Sequence, residues 1–149
     1  MEGEWMWDLR FKIEDVRERG RSRRTDGWLL FRLCLVVVVD AEAEGVEVYY
    51  YKENQTPSSE RIEQSKILGT KVLQKIVKNT GAVSRGVKSA NFAVVRQTTM
   101  PAILIEGGFL SNPKERHKIL DKKYLHAMAK SIASGVDHYL ADSGKWLML

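Results

Sequence analysis

Glu106 is the side chain best placed in this sequence to move a proton. It closes the run Ala102, Ile103, Leu104, Ile105, which follows Pro101 and precedes Gly107 and Gly108. A short, continuous apolar run between turn formers reads as a buried central strand of a parallel sheet. Catalytic groups in open α/β sheets gather at the carboxyl ends of strands. The two glycines clear side chains from that end and allow unusual backbone angles. Glu106 is therefore a candidate acid/base, and the plain alternative is that it only ends a strand. Its carboxylate is expected to face an open cleft near the end of the Val36 to Val39 run, because an unpaired buried carboxylate is costly.

The other chemistry-bearing residues are sparse. The histidines are His117, His126 and His138, all toward the C-terminus, where helices are expected. His126 and His138 are twelve residues apart, which is a rise of ~18 Å along one helix, too far to share an ion. Each reads as a surface or partly buried structural histidine. The one cysteine, Cys34, excludes an internal disulfide and a multi-cysteine metal site. It lies in an apolar run and reads as a small buried hydrophobe.

The elements that must position Glu106 follow from pattern. An apolar run extends from Trp28 to Val39, and valine dominates it from Leu33 onward, which predicts a strand there. Val46, Val48 and Tyr50 alternate with Glu47, Tyr49 and Tyr51, as in a half-exposed strand near a sheet edge. Thr56 before Pro57 is a helix start. Ile62, Leu68, Val72, Leu73, Ile76 and Val77 carry that helix to Asn79, and Gly81 stops it. Residues 91–96 read as a short strand. Ser111 or Asn112 can cap a helix with Pro113 in its first turn, running to Leu120. A last helix over 124–140 places Leu125, Met128, Ile132, Val136 and Tyr139 on one face. Strands alternating with helices imply an α/β fold, a mainly parallel sheet flanked by helices.

Composition fits one soluble globular domain, with 149 residues, 44% hydrophobic and 29% charged. The longest purely apolar run, Leu33 to Val39, is far short of the ~20 residues that cross a bilayer, and it makes no convincing signal peptide. The net charge of +5 is uneven. Residues 1–44 hold 8 Lys+Arg against 10 Asp+Glu, and residues 45–149 hold 16 against 9. Basic usage also switches, from 7 Arg and 1 Lys before residue 45 to 4 Arg and 12 Lys after it. A basic domain favours polyanionic partners, either nucleic acid or an anionic cell wall, although a solvated lysine surface explains a modest excess as well. Residues 17–24, R-E-R-G-R-S-R-R, are basic, but Glu14, Asp15, Glu18 and Asp26 interleave with or flank them, as in a solvated or disordered segment.

Four blocks carry a family resemblance: G-V-E-V-Y-Y at 45–50, R-G-V-K-S-A-N-F-A-V-V-R at 85–96, P-A-I-L-I-E-G-G-F-L-S-N at 101–112 and K-Y-L-H-A-M-A-K-S-I-A-S-G-V at 123–136. In order and spacing they resemble the C-terminal part of the zinc-dependent N-acetylmuramoyl-L-alanine amidases, the family-3 peptidoglycan amidases. The resemblance covers about residues 45 to 141, with Ser65 to Leu68 where the family has its long middle helix. It implies an exported hydrolase of the cell wall or extracellular space, acting on peptidoglycan or its fragments, with Glu106 as the catalytic acid/base. It also implies zinc, since amide hydrolysis needs an activated water and a stabilised oxyanion, and a three-ligand zinc site with an open position supplies both.

The family's ligands are His, Glu and His, the first in D-P-G-H-G-G and the last in S-I-H-A-N. Neither block occurs here. Laying V-S-I-H-A-N-A over 37–43 puts Asp40 at the histidine and Glu42 at the asparagine, and one carboxylate does not make a zinc site. The chain thus divides into a divergent or poorly ordered segment, 1–44, and an amidase-like portion, 45–149. Loss of every zinc block at the composition switch predicts that 1–44 does not share the family's reading frame, and that Trp5, Trp7 and Trp28 pack poorly. Three functions stay open. They are a working zinc amidase, a truncated relative that binds wall fragments with impaired or no catalysis, and a basic α/β module binding nucleic acid or another partner. No aromatic-basic recognition motif supports the third, so no nucleic acid is expected, and the second is favoured.

Overall fold

A computed structural model describes residues 32–34, 42–52 and 60–143, the first three by backbone alone. In chain order the elements are β1 (Arg32–Cys34), β2 (Val46–Tyr50), α1 (Glu60–Thr80), β3 (Ser84–Ser89), α2 (Ala93–Arg96), β4 (Leu104–Glu106), α3 (Pro113–Leu120) and α4 (Lys122–Asp142). The expectations for Trp5, Trp7, Trp28, the Val36 to Val39 run, Asp40, the Thr56–Pro57 start and the Cys34 side chain lie outside the described residues.

The sheet order is β1-β4-β2-β3. β1 runs parallel to β4 and β2 parallel to β3, while β2 and β4 are antiparallel. The sheet is mixed, with parallel pairs on both sides of one antiparallel seam. β4 is interior, as its apolar run predicts. β2 is interior too, between β4 and β3, which corrects the half-exposed edge position. Its alternation separates two covered faces. Val46 and Val48 face α1 and α4 in a core with Leu68, Val72, Ile76, Ile103, Ile105, Met128 and Tyr139. Each such side chain contributes roughly 1.5–3 kcal/mol on burial. Tyr49 and Tyr51 pack on the other face against Val95, Ala102 and Leu104.

The strand expected at 91–96 is replaced by the single turn α2, and the strand is β3, just before it. A doublet such as Val94-Val95 serves one helical turn as well as a strand, and here Val95 is buried from the helix. β3 escapes pattern reading because S-R-G-V-K-S is polar, with its ends exposed. The caps follow sequence more closely. Asn112 is the N-cap of α3, accepting from the N–H groups of Lys114 and Glu115, with Pro113 behind it. On α4, Met128, Val136 and Tyr139 are buried as the stripe requires, but Leu125 is exposed and Tyr124 packs in its place.

Candidate active site

Glu106 ends β4, flanked on both sides. Cys34 of β1 is its parallel register partner and Glu47 of β2 its antiparallel one. Directly opposed residues of an antiparallel pair share a face, with Cβ atoms about 4.5–5.5 Å apart. Two carboxylates are thus side by side on the sheet face away from α1 and α4. Glu106 is 6% exposed, and its carboxylate accepts no hydrogen bond from another described residue. That is tighter than the open cleft expected for it, because β4 is flanked by a strand on each side. Burial raises its carboxyl pKa, and the charge of Glu47 raises it further, with Lys88 and Arg85 offsetting part.

Glu47 has the opposite surroundings. Its Oε1 accepts from Arg85 Nε, its Oε2 accepts from the Tyr49 hydroxyl, and Lys88 Nζ stands 3.0 Å from Oε2. Burial by itself pushes this carboxyl up, but the three donors outweigh it and hold the pKa below the ordinary carboxylate value. Tyr49 is pushed upward, by burial first and then by its bond to Glu47. Arg85 also lies over the Phe109 ring, 4.9 Å from its centroid.

A β-bulge brings the two cations together. Arg85 and Lys88 are three apart and in a regular strand would point to opposite faces. Between the pairs Val46↔Ser84 and Val48↔Val87, β2 advances two residues and β3 three. The extra residue is absorbed around Gly86, at φ 93°, a left-handed conformation that favours glycine. Both side chains then reach Glu47. Sequence reading missed Glu47, Tyr49, Arg85 and Lys88. The available signal was Gly86 between two cations that no apolar alternation explained.

The strand end is held from below. Gly108 sits at φ 149°, and a Cβ there would meet Ile119 Cδ1 at 2.8 Å. Asn112 Nδ2 donates to the Ala43 carbonyl at 3.1 Å, and Gly45 N–H donates to Glu115 Oε2 at 3.0 Å. α3 therefore fastens the segment that leads into β2.

The described residues do not fit the zinc centre that the resemblance implies. Among them, no three His, Cys, Asp or Glu side chains are close enough to hold a metal ion. His117, His126 and His138 are exposed on α3 and α4. No described helix is long and apolar enough to cross a membrane.

Comparison with known proteins bears on the same segment. The model of the N-acetylmuramoyl-L-alanine amidase family matches residues 38–138. The chain is 33% identical over 102 residues to the "Probable cell wall amidase LytH" of Staphylococcus saprophyticus, covering 68% of this chain and 32% of that protein. The N-acetylmuramoyl-L-alanine amidase of Clostridium difficile 630 superposes with a TM-score of 0.65 at 36% identity, over 73% of this chain and 55% of that one. The catalytic domain of CwlV from Bacillus (Paenibacillus) polymyxa does so at 0.62 and 31%, with the same coverage. The chain spans about a third of the LytH relative's length and about half of the solved domains. On its sequence, its sheet and its closing helices, the chain belongs to the N-acetylmuramoyl-L-alanine amidase family.

Proposed function

We propose that this chain engages peptidoglycan at the amide bond between N-acetylmuramic acid and L-alanine, at the cell wall, with Glu106 as its proton-transferring group. The observation that carries the reading is the position of Glu106: a carboxylate at the end of the central strand, with no hydrogen-bond partner among the described residues. Burial and the charge of Glu47 raise its carboxyl pKa above the ordinary value, which makes it a stronger acceptor for a proton. Glu106 takes a proton from the attacking water and returns it to the leaving amine nitrogen. Zinc belongs to the family reaction, and the described side chains offer no set of ligands for it. The sequence also lacks the family's D-P-G-H-G-G and S-I-H-A-N blocks, and this favours a binder of wall fragments with impaired or no hydrolysis.

The test uses the purified 149-residue chain on insoluble peptidoglycan and on DNA, at varied salt, with amine release followed by mass spectrometry. Retention on peptidoglycan, loss of DNA binding as salt rises and little amine release are expected. Stoichiometric zinc after dialysis, with amide cleavage abolished by a chelator, overturns the impaired-hydrolysis part. Salt-resistant DNA binding without wall binding overturns the whole reading.

A further inference from the structure

We propose that Glu47 is a positioning residue for Glu106, a fixed anion in the neighbouring strand that strengthens the hold of the second carboxylate on the proton it exchanges. Arg85 and Lys88 are, in this view, the counter-ions of Glu47. The assignment deepens the acid/base reading of Glu106 and rests on that reading for its catalytic meaning.

Geometry comes first. Glu47 and Glu106 are register partners on antiparallel strands and share one sheet face. Both are almost completely buried, at 3% and 6% exposure. Donors are divided very unequally between them. Both oxygens of Glu47 are engaged, by Arg85 on one and by Tyr49 and Lys88 on the other. Glu106 takes none from the described residues. Two adjacent carboxylates in a low-dielectric site resist ionising together, and the pair separates into one anion and one acid. The hydrogen bonds decide which is which.

The groups facing Glu106 come from several elements. β2 supplies Glu47 and Tyr49, and β3 supplies Arg85 and Lys88. β1 places Cys34 in register beside it. α3 brings Glu115 to the turn that follows, where a Cβ on Gly108 would lie 3.0 Å from Glu115 Oε2. The bulge at Gly86 serves this arrangement, because it turns both cations of β3 toward Glu47. Charge removal at Glu47 and at Lys88 must then act on Glu106 with opposite signs. Without Glu47, Glu106 loses its repelling neighbour and keeps two cations. Without Lys88, the repulsion stays and an attraction goes.

The experiment is a carboxyl-carbon NMR titration of the full chain with labelled glutamate, the Glu106 signal being assigned by its absence in Glu106→Gln. Glu47→Gln is expected to lower the Glu106 midpoint by at least about one pH unit. Lys88→Gln, at an exposed position that leaves the core intact, is expected to raise it. Folding is checked on each variant by the near-UV spectrum. A Glu106 midpoint unmoved by Lys88→Gln, or moved downward, overturns the proposal even where Glu47→Gln fails to fold. A merely structural Glu47 would change stability and leave the Glu106 midpoint in place. The titration requires no substrate and no turnover, so absence of amidase activity counts against the proposed function alone.

Discussion

Glu115 and Gly45 are joined across 70 residues of chain by a hydrogen bond from the Gly45 backbone N–H to Glu115 Oε2, at 3.0 Å. The carboxylate is 3% exposed, and its other oxygen accepts from Lys118 at 3.0 Å. This bond holds the turn entering β2 against the first turn of α3. Removing the acceptor leaves a buried N–H without a partner, which costs about 1–3 kcal/mol. Glu115→Ala is expected to destabilise the chain by that amount in urea unfolding. Lys118→Ala, at a half-exposed cation, should cost less than about 1 kcal/mol. Equal costs for the two variants would show that the tie to Gly45 is idle.

Gly86 gives a second expectation. A Cβ there meets nothing within 4 Å, so space does not forbid a side chain and only the backbone conformation does. Gly86→Ala should cost about 1–2 kcal/mol from the left-handed φ. It should lose more because straightening the bulge withdraws Arg85 or Lys88 from Glu47. In a Glu47→Gln background that second part has nothing left to lose. In a double-mutant cycle on thermal unfolding the double variant should lose less than the sum of the two single variants, and simple additivity would contradict the role given to the bulge.

The acid limb of stability should carry the signature of Glu47. Its folded pKa lies below the ordinary value of 4.5, so the unfolded chain binds the proton more tightly. The stability it contributes is present above pH 4.5 and is lost as pH falls through the lower folded value. Glu47→Gln is expected to destabilise at pH 7 by at least about 1 kcal/mol, with the difference from the parent chain shrinking below pH 4.5. A difference that stays constant down to about pH 3 would mean that packing, not charge, accounts for it.

Glu106 should behave with the reverse sign. Its folded pKa is raised, so the folded chain holds the proton over a window beginning at 4.5 and extending upward. Stability falls as pH rises through that window. Glu106→Gln is therefore expected to raise the melting temperature at pH 7 and to lose that advantage below pH 4.5. A residue kept at a cost to stability is the pattern expected of a functional position. A lower melting temperature at pH 7 would remove the case for a strained carboxylate.

The parts of this fold legible in sequence are those written locally. Pro101, the apolar run and the glycine pair announced β4, and Asn112 with Pro113 announced the start of α3. Helices α1 and α4 carry their stripes over 21 residues each, long enough for the period to show. β3 was not legible, because its polar residues answer to Glu47 on another strand and its period is broken at Gly86. The burial of Glu47 was hidden for the same reason, since a glutamate in an alternating strand reads as solvent-facing until its cations arrive from another strand, Arg85 from 38 residues away. The strand-end place of Glu106 was legible, but its burial was not, since the strands that flank it, β1 and β2, are distant in the chain.

The antiparallel seam between β2 and β4 also bears on the order of events in folding. α1, β3 and α2 lie between those strands in the chain, so the seam closes a long loop and is entropically late. α1 can gather against β2 and β3 while Glu106 is still hydrated. On that order the two carboxylates would meet last, after Arg85 and Lys88 have come to Glu47. Glu106→Gln, which removes that repulsion, is then expected to slow unfolding more than it speeds folding.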